Sequence, residues 1–455
     1  MEYAQAIEKL SAMTRFGINL GLQRINSLLG QFAHPEEKVP IIHIGGTNGK
    51  GSTLAMLSSI LREAGYRVGT YTSPHLVTYR ERFMINGEMI PAAQLAELLA
   101  EILAVAGKVQ QETGESPTEF EVLTALAFLY FAREKVDVAL IEVGLGGDID
   151  STNVVKKPLL SIITNVSLEH TAYLGTTLTE IAGHKSGIIK KGAPVLTASN
   201  EEEVLRVLRE RAKVCEAPLE EIFTACRWTA QETGTVQETI FSAETPRAQY
   251  RELILPFWGE HQLMNAVLAI RAAEVLREQG WSIGEENIRR GLAQAKWPGR
   301  LELVGTNPLI VLDGAHNPAG MEALAKWLAR KKPTVRRVIL VIGMLDDKDR
   351  LQAARFISSL VDLVIITKPN SARAKDWAEL KQFFTEATKT PEIPVFVLED
   401  LAEALTKALQ EAAKAPSEKE GLPEKTGAEK QTMILVTGSL YLIGEVKKLL
   451  GELNK

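Results

Sequence analysis

The stretch "HIGGTNGKGSTLAM", residues 43–56, follows the apolar run 39–42 and opens a helical pattern. Gly45, Gly46, Gly49 and Gly51 leave the backbone free to turn successive N–H groups inward. A helix starting near Ser52 adds its positive end to the same point. Lys50 supplies a mobile charge for terminal phosphates. The usual phosphate loop places Ser or Thr directly after that lysine, whereas here Gly51 separates Lys50 from Ser52. A glycine-rich turn between strand and helix would share much of this pattern without binding anything. On its own the loop says nucleotide and no more.

Chemistry on a nucleotide also needs a cation, and hard cations want oxygen ligands. "VDVALIEVGLGG" reads as a buried apolar strand ending on Glu142, followed by glycines that leave the strand end open. That is where a phosphate-loop enzyme holds magnesium; a glutamate capping an ordinary turn is the plainer alternative. His170, in "NVSLEHTAYLG", follows another apolar strand, and a hydrogen-bonded structural histidine would look the same. Lys185, in "IAGHKSGIIKKG", sits among small residues, unlike the solvated Lys190 and Lys191, although a solvated face would also accommodate it.

The elements that must position these residues alternate. "VPIIHIGG", "YRVGTYTS", "VDVALIEVG", "LLSIITNVS" and "APVLTAS" read as buried strands, with helix-length patterns such as "TLAMLSSILREAGY" and "FEVLTALAFLYFAREK" between them. Alternation of this kind predicts parallel β-α-β units with helices on both faces of a sheet. Over residues 223–257 the rhythm shortens, which predicts an antiparallel appendage. After "WPGR" at 297–300 a second α/β series begins, comprising "LIVLDG", "RRVILVIGML", "LVIITKP", "PVFVLED" and "TMILVTGSL". The turn at Trp297-Pro298-Gly299 serves as a linker, so the expected domains are 1–298 and 299–455. Residues 414–431, charged and rich in Pro and Gly, read as a mobile loop.

The chain has 455 residues, enough for two or three domains. Hydrophobic residues at 45% and charged ones at 24% match a soluble globular protein, and a net charge of -5 argues against a nucleic-acid partner. Two cysteines, Cys215 and Cys226, cannot build a disulfide framework, which points to a reducing, cytoplasmic setting. The start reads as an amphipathic helix and not as a secretion signal. No apolar run approaches the roughly 20 residues that span a bilayer, so no membrane partner is expected.

Taken together, these segments resemble the Mur ligase superfamily and, within it, the folylpolyglutamate synthases. "GTNGKGS" is that family's form of the phosphate loop, Gly51 included. "TSPHL" at 72–76, "ERFMINGE" at 81–88, "EVGLGG", "LGTTLTEIA", "KSGIIK", "FWGEHQLMNA" at 257–266, "WPGRLE", "LDGAHNP" at 312–318 and "TGSLYLIGEV" at 437–446 follow in the family's order. The resemblance implies an α/β fold with a phosphate-loop ATPase domain and a smaller C-terminal Rossmann-like α/β domain. It implies ATP contacts at Gly49, Lys50, Gly51, Ser52, Asn265, Arg300 and Asp313, from both domains. Ser73, Glu142 and His170 would be magnesium ligands at two sites, with a monovalent cation as a further companion. Lys185 would be carbamylated, an anion in place of an ammonium that two metal ions would repel. Three positions depart from the family pattern: His184 and Glu169 stand where acidic residue and Asp are usual, and Asp148 where Arg is common.

The implied reaction joins L-glutamate to a carboxylate of a reduced folate or dihydropteroate. A carboxylate is a poor electrophile, and transfer of the γ-phosphate of ATP makes it an acyl phosphate that an amine can attack. Positioning and charge neutralisation suffice, with no enzyme nucleophile; the "GxSxG" elbow is not evident. Arg300 and Lys50 would offset phosphoryl charge, and His316, in "DGAHNP", would place the incoming glutamate, or would simply shape a turn. "TRFGINLGLQRI" at 14–25 resembles the segment bordering the folate pocket. Thr118, Glu119, Phe120 and Glu121, with Ile149, Asp150 and Ser151, occupy positions that line the pterin side in bifunctional members, although Phe120 suits a helix core better than a stacking platform. A cell-wall Mur ligase is the nearest rival, but such proteins carry a further N-terminal domain, and here only residues 1–42 precede the loop. A non-catalytic nucleotide-gated module would have no use for Glu142, His170 and Lys185 together. The expected enzyme is a monomer.

Overall fold

A computed structural model describes residues 2–13, 21–231, 238–387, 393–414 and 430–453. Part of the N-terminal stretch expected at the folate pocket (14–20) and most of the expected mobile loop (415–429) lie outside the described residues. The chain divides into two compact units. The first comprises Met1–Thr233, Thr239–Pro256 and Gln262–Lys296; the second contains Phe257–His261 and Trp297–Lys455. The second unit thus takes in a short segment, 257–261, well before the Trp297 turn.

In the first unit, eight strands form one sheet: β1 (Ile41–Gly45), β2 (Val68–Tyr71), β3 (Phe83–Ile85), β4 (Glu88–Met89), β5 (Val138–Glu142), β6 (Leu160–Ile163), β7 (Val195–Thr197) and β8 (Leu219–Glu221). Their order is β4-β3-β2-β5-β1-β6-β7-β8, parallel except where β3 pairs with β2 and β4. Every residue of β1, β5, β6 and β7 is buried, as expected for parallel strands covered on both faces. All five strands read from the sequence in this region are present. The "ERFMINGE" hairpin and the edge strand β8 were not foreseen, because each is too short to show periodicity. The antiparallel appendage is the three-stranded sheet β9 (Arg227–Gln231), β10 (Thr239–Glu244) and β11 (Gln249–Leu255).

The second unit carries β12 (Glu302–Thr306), β13 (Leu309–Leu312), β14 (Arg337–Ile342), β15 (Leu363–Ile366), β16 (Val395–Val397) and β17 (Thr432–Thr437). Their order, β12-β13-β17-β14-β15-β16, is parallel except for the β12/β13 pair. Trp258 stacks on Trp327 in this unit's core, with ring centroids 5.5 Å apart. No helix among the described residues is long and apolar enough to cross a membrane.

Strand β1 lies between β5 and β6, so the loops leaving the carboxyl ends of these three strands meet; open α/β sheets bind ligands at such ends. The helix Lys50–Glu63 leaves β1 and packs against the helix Glu285–Ala293. There the two backbones come so close that a Cβ on Gly291 would stand 2.4 Å from Ile60 Cα. Gly291→Ala should therefore lower stability by up to about 2 kcal/mol: overpacking at about 1–3 kcal/mol is set against the roughly 1 kcal/mol that alanine gains over glycine in a helix, and the backbone contact here puts the cost at the upper end. Gly107→Ala, in the helix Ala92–Thr113 with open space around the site, should instead gain about 1 kcal/mol. Paired urea melts check both, and equal midpoints would refute the close-packing argument.

Candidate functional site

The phosphate loop begins where β1 ends. Gly46 has φ 129°, and a Cβ there would collide with Thr164 Oγ1. The helix begins at Lys50, two residues before the expected Ser52, with Gly49 at φ 86° as its N-cap. The loop after β6 holds this backbone. Thr47 N–H donates to Asn165 O (2.7 Å), Asn48 N–H to Asn165 Oδ1 (2.9 Å), and Thr164 Oγ1 to Asn48 O (2.6 Å). Thr47 Oγ1 in turn accepts Ser167 N–H at 3.0 Å. Backbone N–H groups at a helix start, pinned in this way, form a preorganised anion cradle. None of Thr47, Thr164 or Asn165 was singled out from the sequence; the "TN" within "IITNVS" gave no signal of a partner more than a hundred residues away.

Two lysines converge on one carbonyl. Lys50 Nζ donates to Gly46 O (3.2 Å) and Thr47 O (3.0 Å), and Lys185 Nζ donates to the same Gly46 O at 2.8 Å. Lys185 is buried near the end of the helix Leu178–Ser186, not on a solvated face. Burial foremost, and then the Lys50 charge, bring its pKa down to about 7, against the opposing pull of Glu169 and Asp150. Asn265, buried on the helix Glu260–Glu278, lies against Gly49: a Cβ on Gly49 would be 2.4 Å from Asn265 Oδ1. That oxygen is buried with no hydrogen-bond partner among the described residues, while Nδ2 donates to Gln262 (3.0 Å). Gly51 and Ser52 are buried in the first helical turn.

Glu142 is the last residue of β5, as expected, and is buried. Its Oε2 accepts the backbone N–H of Ser73 at 3.2 Å, so two expected magnesium ligands adjoin. His170 lies farther from its strand than the sequence implied: residues 164–169 intervene after β6. It stands at φ 53°, caps the short helix Thr171–Leu174, and has Nε2 3.9 Å from Glu169 Oε1. Carboxylate and hydroxyl oxygens suit a hard divalent cation, although no group of three or more His, Cys, Asp or Glu side chains among the described residues is placed to hold one.

On the other side of Lys185 the loop after β5 folds back. Asp150 caps the 3-10 turn Ser151–Val154 and accepts Leu145 N–H at 2.7 Å. Burial raises its pKa, against the hydrogen bonds that lower it. Ser151 is buried, and Ile149 is half-buried against a core that includes Val143 and Ile181. Asp148 and His184, two of the departures from the family pattern, meet: His184 Nδ1 lies 2.8 Å from Asp148 Oδ1, and Asp148 N–H donates to His184 O at 2.9 Å. Thr118 and Glu121 form the capping box of the helix Glu119–Arg133, and buried Glu121 also accepts Arg24 Nε at 3.1 Å. Glu119 accepts the Tyr79 hydroxyl at 2.8 Å. Phe120 packs on the core and reaches across to Gly144, joining this helix start to the 144–151 loop.

In the second unit, Arg300, Asp313 and His316 gather around Gly314. Asp313 accepts Leu301 N–H and Ala315 N–H, both at 2.9 Å. A Cβ on Gly314 would collide with Arg300 Nη1. His316 Nδ1 donates to Gly314 O at 2.7 Å, just before Asn317 caps the helix Pro318–Lys331. The half-buried His261 belongs here too; desolvation lowers its pKa, with charge effects from Asp313 and Arg300. Though it stands in the quoted "FWGEHQLMNA", it was not singled out.

Residues 88–273 match the Mur ligase middle domain and 299–440 the Mur ligase glutamate ligase domain. The dihydrofolate synthase/folylpolyglutamate synthase of Bacillus subtilis is 37% identical over 98% of both chains. A structure of Mycobacterium tuberculosis folylpolyglutamate synthase complexed with ADP and AMPPCP has a TM-score of 0.88 at 31% identity, over 99% of both chains. E. coli FolC in complex with DHPP and ADP has a TM-score of 0.85 at 27% identity, over the whole of both chains. With the two Mur ligase domains in order and end-to-end likeness to these enzymes, this chain belongs to the folylpolyglutamate synthase/dihydrofolate synthase family of Mur ligases.

Proposed function

We propose that this protein is an ATP-dependent ligase that adds L-glutamate to the carboxylate of tetrahydrofolate, and also to that of dihydropteroate. The observation that carries this reading is the convergence of Lys50 and Lys185 on the Gly46 carbonyl, beside a buried carboxylate at the end of β5. Gly49, Lys50, Gly51, Ser52 and Asn265 hold the phosphates, and Arg300 and Asp313 provide further ATP contacts. Ser73, Glu142 and His170 would hold magnesium, which when bound offsets the charge on the nucleotide phosphates. The two free, buried thiols, Cys215 and Cys226, suit a cytoplasmic enzyme, which we take to act as a monomer.

The chemistry follows from this reading. Lys50 and the loop N–H groups align the triphosphate while a carboxylate oxygen of the folate attacks the γ-phosphorus. The bond from phosphorus to the ADP oxygen breaks, leaving an acyl phosphate. The glutamate amine, placed with the help of His316, attacks the acyl carbon and loses a proton; inorganic phosphate departs and the amide remains. Thr118–Glu121 and Ile149–Ser151 line the pterin side.

Incubating the protein with ATP, L-glutamate and either tetrahydrofolate or dihydropteroate should yield ADP, phosphate and the glutamylated product in equal amounts. ATP binding without product from either acid would sink the ligase reading. Glu142→Ala should retain its fold and ATP affinity but lose several kcal/mol of transition-state stabilisation, roughly a hundredfold or more in turnover, and its residual activity should respond little to added magnesium. Turnover near wild type would remove the metal role.

Carbamylation of Lys185 needs a neutral amine: its nitrogen bonds to the carbon of CO2 and one N–H proton is released. Because burial lowers the pKa to about 7, the neutral fraction grows as pH rises through that value. Incorporation of 13C-bicarbonate into the protein should therefore climb between about pH 6 and pH 8, and Lys185→Ala should abolish it. That variant should lose most activity and regain part with a short carboxylic acid. Labelling that is flat with pH, or retained in Lys185→Ala, would rule the carbamate out.

A further inference from the structure

His43 interrupts an otherwise apolar strand at the centre of the sheet. Its ring is fully buried, Nδ1 has no partner among the described residues, and burial holds the imidazole neutral, with a pKa of about 3. A buried acceptor without a hydrogen bond carries its full desolvation penalty. An isoleucine here would continue the pattern of Ile41, Ile42 and Ile44 at no such cost, so stability alone gives no reason for a histidine.

The other ring nitrogen supplies the reason. His43 Nε2 lies 2.8 Å from Thr152 Oγ1, and that hydroxyl lies 2.5 Å from Asp150 Oδ1. Thr152 N–H donates to the same carboxylate oxygen at 2.9 Å, while Leu145 N–H holds the other. A carboxylate only accepts, so the Thr152 hydroxyl proton points to Asp150, and the hydroxyl lone pair receives the His43 Nε2–H. The result is a buried chain, imidazole to hydroxyl to carboxylate, running from the strand that launches the phosphate loop to the loop carrying Ile149, Asp150 and Ser151. Thr152 and His43 are wholly inaccessible and Asp150 nearly so, and low-dielectric surroundings strengthen such chains.

We infer that His43 and Thr152 are positioning residues for the pterin-bearing substrate: they fix the Asp150 carboxylate and the 145–151 loop around it. This rests on the folate reading of the site, and neither residue touches the reacting atoms. Thr152→Val keeps the side-chain shape but removes the hydroxyl, stranding the His43 donor and loosening Asp150. Its KM for the folate substrate should rise fivefold or more, with KM for ATP and kcat within twofold of wild type, and Thr152→Ser should restore the wild-type value. His43→Leu should give the same selective rise, and serves if Thr152→Val does not fold.

Direct titration of each protein with dihydropteroate and ATP completes the test. Weaker binding of the pterin acid alone supports the inference. Unchanged pterin binding in both folded variants, equal losses for pterin and ATP, or no rescue by serine would overturn it while leaving the ligase reading intact. A wild-type protein that neither binds nor ligates either acid would overturn both.

Discussion

Two ammonium groups cannot share one carbonyl cheaply, and much of this site follows from that constraint. On the proposed reading Lys50 stands at the head of the helix to meet phosphate, and its charge helps drive the proton off Lys185. Burial does the larger part, which is why Lys185 stands near the end of a packed helix and not on a mobile loop. Gly46 must then present its carbonyl to both amines from a backbone conformation that side chains rarely adopt. The loop after β6 has to hold that backbone still, and Thr47, Thr164 and Asn165 do so. Each step is forced by the one before it.

The same logic accounts for the position of the site along the sheet. β1 can be flanked by β5 and β6 only through crossover connections, and this arrangement puts the ends of three strands side by side. The phosphate loop, Glu142 and the bracing loop are thus brought together by strand order. The departures at 148 and 184 read differently in this setting. Taken singly, an acid and a histidine look misplaced; in space they answer each other. Both are partly exposed, so their contact adds little stability, but with the backbone bond beside it the contact fixes the loop to the turn that presents Lys185.

What could be read from the sequence was whatever expresses itself locally. Apolar runs marked every central strand, the glycine spacing marked the phosphate loop, and Glu142 announced itself by closing an apolar run. Residues whose meaning depends on distant partners were silent. His43 looks like an oddity in a strand until Thr152 is placed beneath it, and Asn165 looks like part of an ordinary turn. Lys185 stood between: small neighbours hinted at burial, but only the shared carbonyl explains why a lysine is there. Asp150 and Glu121, read as lining a pocket, prove to spend much of their hydrogen-bonding capacity on holding loops and helix starts in place.

The excursion of residues 257–261 has a bearing on how the chain can be made and divided. Trp258 is synthesised ahead of nearly all of its partners in the second unit, whereas the first unit is not complete until residue 296 has left the ribosome. Vectorial folding in which an N-terminal domain finishes before the next begins is therefore closed to this chain in its simplest form. A fragment starting at the Trp297 turn would leave Trp258 behind and expose one face of Trp327. The tidy boundary visible in one dimension is a poor place to cut, and any exchange of the second unit between relatives would have to carry the Phe257–His261 segment with it.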